Sequence, residues 1–315
     1  MRSTLKLAML QFAMLPLALW LLPAAGPAVA QEMAITFDDL PAHGPLPPGV
    51  NRLDVVNSIL ATLGREHMPP TYGFINGGRG ADDPLSPAVL DAWRAAGQPL
   101  GNHTWAHNDL SKETVRQFER DVLGNEALLG RLMAGEDWHW LRYPYLHEGD
   151  TLRKRRATRA WLAAHGYRIA EANMDFEDYL WNAPYARCVA KHDEAAVQSL
   201  HDSYLAVAEQ YYRVFREASQ KAYGRDVKYV LLMHVGAFDA HMLPELLALY
   251  RAKGVTFIGM PAALADTAYS DDPDIGDPHG GTHLELVLES RHIRWPANSK
   301  PYRELDAMCR QDTAR

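Results

Sequence analysis

Met33-Ala34-Ile35-Thr36-Phe37-Asp38-Asp39, followed by Leu40-Pro41, is the stretch on which the reading of the fold turns. Met33 to Phe37 is a short apolar run of strand type, and it ends in two adjacent carboxylates. Successive strand residues point to opposite faces, so Asp38 and Asp39 serve one site only where the strand gives way to a turn, and Pro41 places that turn here. The arrangement recurs along the chain. Gln98 to Asn102 runs into His103-Thr104-Trp105-Ala106-His107, and Trp138 to Leu141 runs into Arg142-Tyr143-Pro144-Tyr145. Tyr167 to Met174 precedes Asp175 and Asp178, and Tyr229 to Met233 precedes His234. Helix-like stretches lie between these segments. Strand, polar loop and helix in repetition predict a parallel α/β barrel, in which the loops after the strands converge on one face and build the site. Five polar clusters in equivalent places thus predict one shared site.

The 315 residues are 47% hydrophobic, enough for a substantial core. One α/β barrel of roughly 250 residues accounts for most of them. Residues 1–30 read as a secretory signal peptide, with Arg2 and Lys6, an apolar stretch from Leu7 to Leu22, and Ala28-Val29-Ala30 as the cleavage triplet. Pro16, Pro23 and Gly26 interrupt the apolar stretch and argue against a membrane anchor. The mature protein is therefore expected to be exported, periplasmic or secreted, with no stable anchor. Cleavage removes two positive charges and no negative ones, which takes the formal charge from -7 to -9. That mild acidity disfavours nucleic acid, whose binding rests on Lys and Arg neutralising phosphates. The run Arg153-Lys154-Arg155-Arg156 with Arg159 reads as the solvated face of a helix. Cys188 and Cys309 can pair in an oxidising compartment if the fold brings them together.

Asn51 is expected to cap a helix running to about Glu66, with Leu53, Val56, Ile59, Leu60 and Leu63 as its apolar stripe. Thr71 to Ile75 reads as a strand, and Pro87 to Ala96 as a helix after Ser86. Ser111 is expected to open a helix extending to about Met133, and Asp150 to cap a basic helix ending near His165-Gly166. The longest helix runs from about Asp193 to Ala222, an elaboration lying over one side of the barrel. After His234 come a helix from His241 to Ala252, a strand from Val255 to Ile258 and a short helix from Pro261. Residues 270–315, rich in Asp, Pro and Gly before Leu284 to Leu288, read as a C-terminal extension to a domain spanning 31–269.

His103 and His107 form an HxxxH pair, which brings two imidazoles together on a helix face or in a short turn. Asp39 adds an oxygen donor, and the set leaves a position open for water or substrate, as catalytic zinc requires. The same ligands suit iron(II), so spacing names no metal; Zn2+ is the first expectation, with Co2+, Ni2+ and Fe2+ also compatible. Asp38, beside the metal but not on it, suits a general base, and Arg142 offers a fork to position it and keep it ionised. His234 ends an apolar strand and is the candidate second proton-transfer group, with Asp178 or Asp175 orienting it. Trp105, Tyr145, Tyr179 and Trp181 lie near these loops and can pack on sugar rings. Each assignment has a structural counterpart: a strand-ending Asp38, an ion-paired Arg142, a satisfied core His234 and core aromatics.

On these residues the chain resembles the polysaccharide deacetylases of carbohydrate esterase family 4, which contain the NodB-homology domain, over roughly Ala34 to Asp266. Thr36-Phe37-Asp38-Asp39 is similar to the family's TFDDG, His103-Thr104-Trp105-Ala106-His107 to H-[ST]-x-x-H, and Arg142-Tyr143-Pro144-Tyr145 to R-x-P-Y. Leu232-Met233-His234 fits the last motif. The resemblance implies a distorted (β/α) barrel, usually seven-stranded, with a divalent metal on Asp39, His103 and His107. It further implies Asp38 as general base, His234 as general acid and the backbone N–H of Tyr145 in the oxyanion site. The chain departs at Leu40 and Leu146, where relatives usually carry Gly, and at Asp178-Tyr179, the nearest match to an Asp-Trp pair. The expected activity is removal of N-acetyl groups from an envelope or extracellular polysaccharide. A hydrolase of non-sugar C–N bonds and a non-catalytic glycan-binding protein are the alternatives, with an iron(II) oxygenase as a third that oxygen consumption would reveal.

Overall fold

The computed structural model describes residues 31–299 and 301–310, so the segment read as a signal peptide lies outside the described residues. The chain runs through β1 (Gln31–Leu40), α1 (Arg52–Arg65), β2 (Tyr72–Ile75), α2 (Ser86–Ala95), β3 (Leu100–Asn102), α3 (Val115–Gly124), α4 (Glu126–Leu132) and β4 (Trp140–Leu141). It continues with α5 (Leu152–Ala164), β5 (Arg168–Ile169), α6 (Asn182–Ala190), α7 (Glu194–Tyr223), β6 (Tyr229–His234), α8 (Ala237–Ala252), β7 (Val255–Phe257) and α9 (Met260–Leu264). Then come α10 (His283–Ser290) and α11 (Tyr302–Ala307).

The seven strands pair in parallel in the order β5-β4-β3-β2-β1-β6, with β7 against the start of β1. The distorted barrel takes the form of a curled, open sheet. Past β5 the chain leaves β4 and reaches β6 at a bridge between Met174 and Leu231, so the two edges approach without forming a full ladder. β1 lies between β2 and β6 and is buried from Met33 to Leu40. Met33, Ile35 and Phe37 pack into the large core that includes side chains of α1, α2 and α8. Ala34 instead joins Tyr72, Phe74, Trp140, Ala170 and Val230. Strand alternation puts Thr36 and Asp38 on the face of Ala34.

Several elements differ from the sequence reading, each for a local reason. The single helix expected from Ser111 to Met133 begins at Val115, capped by Thr114, and breaks at Asn125. The Asn125 side chain donates to the Ile75 carbonyl at 2.8 Å and to Asn102 Oδ1 at 3.0 Å, and accepts from the Gly77 amide at 3.0 Å. The basic helix is capped by Thr151, while Asp150 pairs with Lys154 at 2.7 Å. Its basic run is a solvated face only in part: Arg153 and Arg156 are exposed, but Arg155 is buried and reaches Asp272 at 2.6 Å, and Arg159 bonds Glu148 at 2.6 Å and Glu171 at 2.7 Å. Charges of opposite sign from three other segments cover that helix, which a single stretch of sequence cannot display.

The long helix forms as expected, capped by Asp193, with Leu200, Tyr204, Val207, Tyr211 and Phe215 in the core. The chain after Ser270 folds back onto it through α10, whose Leu284 and Leu288 join the same core. Cys188 and Cys309 meet as a disulfide with their Cα atoms 5.2 Å apart. Among the described residues no helix is long and apolar enough to cross a membrane.

Candidate active site

Asp38 and His234 are cross-strand neighbours at the carboxyl ends of β1 and β6. A straight strand would send Asp39 to the opposite face, but Asp39 has φ 65, and the register with β2 shifts between Phe37 and Leu40. This left-handed step brings the second carboxylate to the site. The strand gives way to a turn at Pro41 as expected, but the reorientation of the carboxylate comes earlier, at Asp39, and for an L-residue such a conformation costs roughly 1–2 kcal/mol that the surroundings must offset.

His103 and His107 lie in the loop after β3. They meet in a turn, with Thr104 at φ 62, His107 at φ 57 and the two rings 4.8 Å apart. Buried asparagines build that turn: Asn76 donates to the carbonyls of His103 and Thr104, and Asn102 Oδ1 accepts from the Thr104 amide at 2.9 Å. His103 Nδ1 donates to the Arg142 carbonyl at 2.7 Å, which fixes the tautomer and turns Nε2 toward the carboxylates. That nitrogen is 3.7 Å from Asp38 Oδ2 and 3.8 Å from Asp39 Oδ1, while His107 Nε2 is 3.4 Å from Asp39 Oδ1. Burial pulls His103 to about 4 and His107 to about 3, so both rings are neutral and offer lone pairs. One ligand atom each from Asp39, His103 and His107 lie within 4.8 Å of one another. Two neutral nitrogens and one carboxylate oxygen fit a divalent first-row metal.

Arg142 is buried beneath this cluster. Its Nη1 is 3.3 and 3.4 Å from the Asp38 oxygens, Nη2 donates to Thr36 Oγ1 at 3.2 Å and Nε to the Ala170 carbonyl at 2.5 Å. Burial raises the Asp38 carboxyl above its usual value, and Arg142 offsets that rise without cancelling it. Of the two aspartates considered for His234, Asp178 makes the contact: Oδ1 lies 2.8 Å from His234 Nδ1, and Oδ2 accepts from the His234 amide at 2.7 Å. Asp175 accepts from the Glu177 amide at 2.6 Å and lines the cleft. Burial would lower the His234 imidazole, but the charge and hydrogen bond of Asp178 outweigh it and push the ring up to about 10.

Two further residues hold Asp39 and were absent from the sequence reading. His43 Nδ1 lies 2.7 Å from Asp39 Oδ2, and Arg79 Nη1 is 3.1 Å from both Asp39 oxygens. Against burial, the His43 hydrogen bond and the nearby imidazoles hold Asp39 well below the usual carboxylate range. His43 stands alone in a proline-rich loop with no partner at motif spacing. Arg79 was findable, because it follows strand β2 as the other polar clusters follow their strands.

These groups line a cleft of about 470 Å³ that also takes in Tyr145, Leu146, His147 and Tyr179. The Tyr145 ring lies 4.5 Å from His107. Trp181 is core, donating from Nε1 to Ser203 at 2.8 Å. Trp105 packs against Gly77, Gly78 and Gly124, where an added Cβ would lie within 2.5–2.8 Å of its atoms. His279, Gly280, Gly281 and Glu285 complete the lining from the C-terminal segment.

Fold and site together define an α/β protein with a divalent-metal-binding Asp/His cluster at the carboxyl ends of a curled parallel sheet. The polysaccharide deacetylase family profile matches residues 25–169. The chain is 25% identical over 155 residues to a peptidoglycan-N-acetylglucosamine deacetylase of Bacillus cereus, covering 49% of each chain. It is 28% identical over 162 residues to a chitin deacetylase of Colletotrichum lindemuthianum, covering 48% of this chain and 54% of that one. It thus spans about half the length of these curated relatives. The solved structure of the chitin deacetylase from that fungus shares the fold, with a TM-score of 0.52 at 21% identity over 75% of this chain and 88% of the other. Over residues 25–169, a little under half of the chain, the sequence thus matches the polysaccharide deacetylase family, and its fold is the one seen in the chitin deacetylase structure.

Proposed function

We propose that this protein is a metal-dependent deacetylase that removes N-acetyl groups from an envelope or extracellular polysaccharide, acting after export. The observation that carries the reading is the convergence on one cleft of a three-ligand set, a buried carboxylate next to it and an aspartate-held histidine. Asp39, His103 and His107 would hold a divalent metal, zinc by preference, which when bound would supply Lewis acidity to the reaction. Asp38, positioned by Arg142, takes the proton from the attacking water. The Tyr145 backbone N–H serves as an oxyanion donor. His234, charged through Asp178, protonates the departing amine and so completes the cleavage. Tyr145 and Tyr179 offer aromatic faces to a sugar ring at the same cleft. Residues 31–269 are taken as the catalytic domain and 1–30 as the export signal, and the Cys188–Cys309 disulfide favours an oxidising compartment.

Leu146 and the C-terminal residues in the cleft wall favour a second reading, hydrolysis of a smaller non-sugar amide by the same groups. Acetate release across chito-oligosaccharides, peptidoglycan fragments and acetylated xylan, run beside small amides and imides with metal analysis of the same sample, separates the two. Asp38→Asn is expected to lose acetate release while keeping its metal. Full activity in that variant would overturn the base assignment.

A further inference from the structure

The C-terminal segment does more than pack behind the sheet. From Asp271 to Thr282 it crosses the loops that follow β4 and β5 and is pinned along its length. Asp272 receives Arg155 at 2.6 Å, Asp274 is held by Arg156, the Asp277 amide donates to the Gly149 carbonyl at 3.2 Å, and the His283 amide to the Ala172 carbonyl at 2.8 Å. At the cleft it meets His147, whose Nε2 lies 2.8 Å from the His279 carbonyl and whose Nδ1 lies 2.8 Å from Asp109 Oδ1. Gly280, at φ +68, passes so close that a Cβ there would lie 2.1 Å from His147 Cδ2 and 2.8 Å from the Tyr145 carbonyl oxygen.

The loop under this contact is one that needs holding. Tyr145 and Leu146 occupy the left-handed region in succession, at φ 59 and 56. Neither is glycine, and such conformations persist only where the surroundings over-determine them. Glycine would make such a turn inexpensive, and neither Tyr145 nor Leu146 has that backbone freedom.

We propose that the segment Asp271–Thr282 is a strap belonging to the active site, and that His147 is a positioning residue which locks the strap onto the loop carrying the Tyr145 amide. The inference rests on the proposed oxyanion role of that amide for its catalytic consequence, but not for the clamp itself. The strap fixes a donor that must be aimed at the acyl oxygen, and it walls one side of the cleft.

Gly280→Ala and His147→Ala test this in the full chain, with His147→Gln as the conservative variant that retains an N–H donor. Hydrogen exchange of the amides from 143 to 148 is expected to quicken in the two alanine variants and to return toward wild type in His147→Gln. Their kcat is expected to fall by about tenfold to a hundredfold, the range for a misplaced catalytic group, with KM and metal affinity unchanged. Unaltered exchange in both alanine variants would overturn the clamp. Quickened exchange with kcat within twofold of wild type, or a change in KM alone, would overturn the positioning role. If the wild-type enzyme released no acetate from any substrate, the functional proposal would fall, and the exchange measurement would still decide the clamp.

Discussion

Arg142→Leu isolates the electrostatic core of the site. The guanidinium faces the buried Asp38 carboxylate at 3.3–3.4 Å, with burial already raising that carboxyl from its ordinary 3.8. Removing one partner of a buried pair leaves an uncompensated charge and costs about 3–5 kcal/mol. At roughly 2–4 °C per kcal/mol for a chain of this size, the melting temperature should drop by roughly 6–20 °C at neutral pH. Part of that loss comes from the Ala170 carbonyl and the Thr36 hydroxyl, which lose their donors but do not titrate. The pH dependence separates the two contributions. Because the folded Asp38 binds its proton more tightly than the unfolded one, its stability contribution is complete below 3.8 and is lost as pH rises through the folded value. Without Arg142 the folded value rises further, so the gap between variant and wild type should widen from acid to neutral pH. Thermal melts of metal-stripped protein across that range measure it, with Asp38→Asn added to the Arg142→Leu background. A pH-independent gap, or no recovery in the double variant, would refute the pairing as the source of the energy.

Metal affinity, read by competition with a chromophoric chelator, should fall about 10–100-fold in His43→Ala, because the variant loses the hydrogen bond that orients Asp39; unchanged affinity would remove His43 from the metal site. His234→Ala should lower turnover by about 10²–10⁴-fold while leaving the metal bound, as expected for loss of one acid–base group, and a parallel loss of metal would reassign it as a ligand. Reducing the Cys188–Cys309 disulfide, which closes a separation of 121 residues, should cost about 2–5 kcal/mol in denaturant unfolding. A midpoint unmoved by reductant would show that α11 contributes little to the fold's stability.

The apolar run of β1 made much of the fold legible, since such a run with a polar end, recurring along the chain, specifies a parallel sheet with its loops on one face. The cap at Asn51, which acts over three residues, was equally readable, as was the start of the long helix near Asp193. The helix break at Asn125 was not, because its cause lies in Ile75, Gly77 and Asn102, which are distant in sequence. Nor was the burial of Arg155, whose partner Asp272 lies 117 residues away.

By itself the sequence determined the donor chemistry: which residue types could hold a metal, move a proton or form a strand, and in what order. Only the tertiary structure decided that Asp39 turns back toward Asp38 through a left-handed step, that Asp178 and not Asp175 holds His234, and that His43 and Arg79 brace the ligand carboxylate. It also decided that the far C-terminal segment reaches the cleft. The physical reason is one of range. Alternation, capping and turn preference act over a few neighbouring residues, whereas burial and charge pairing depend on which segments the curled sheet brings together.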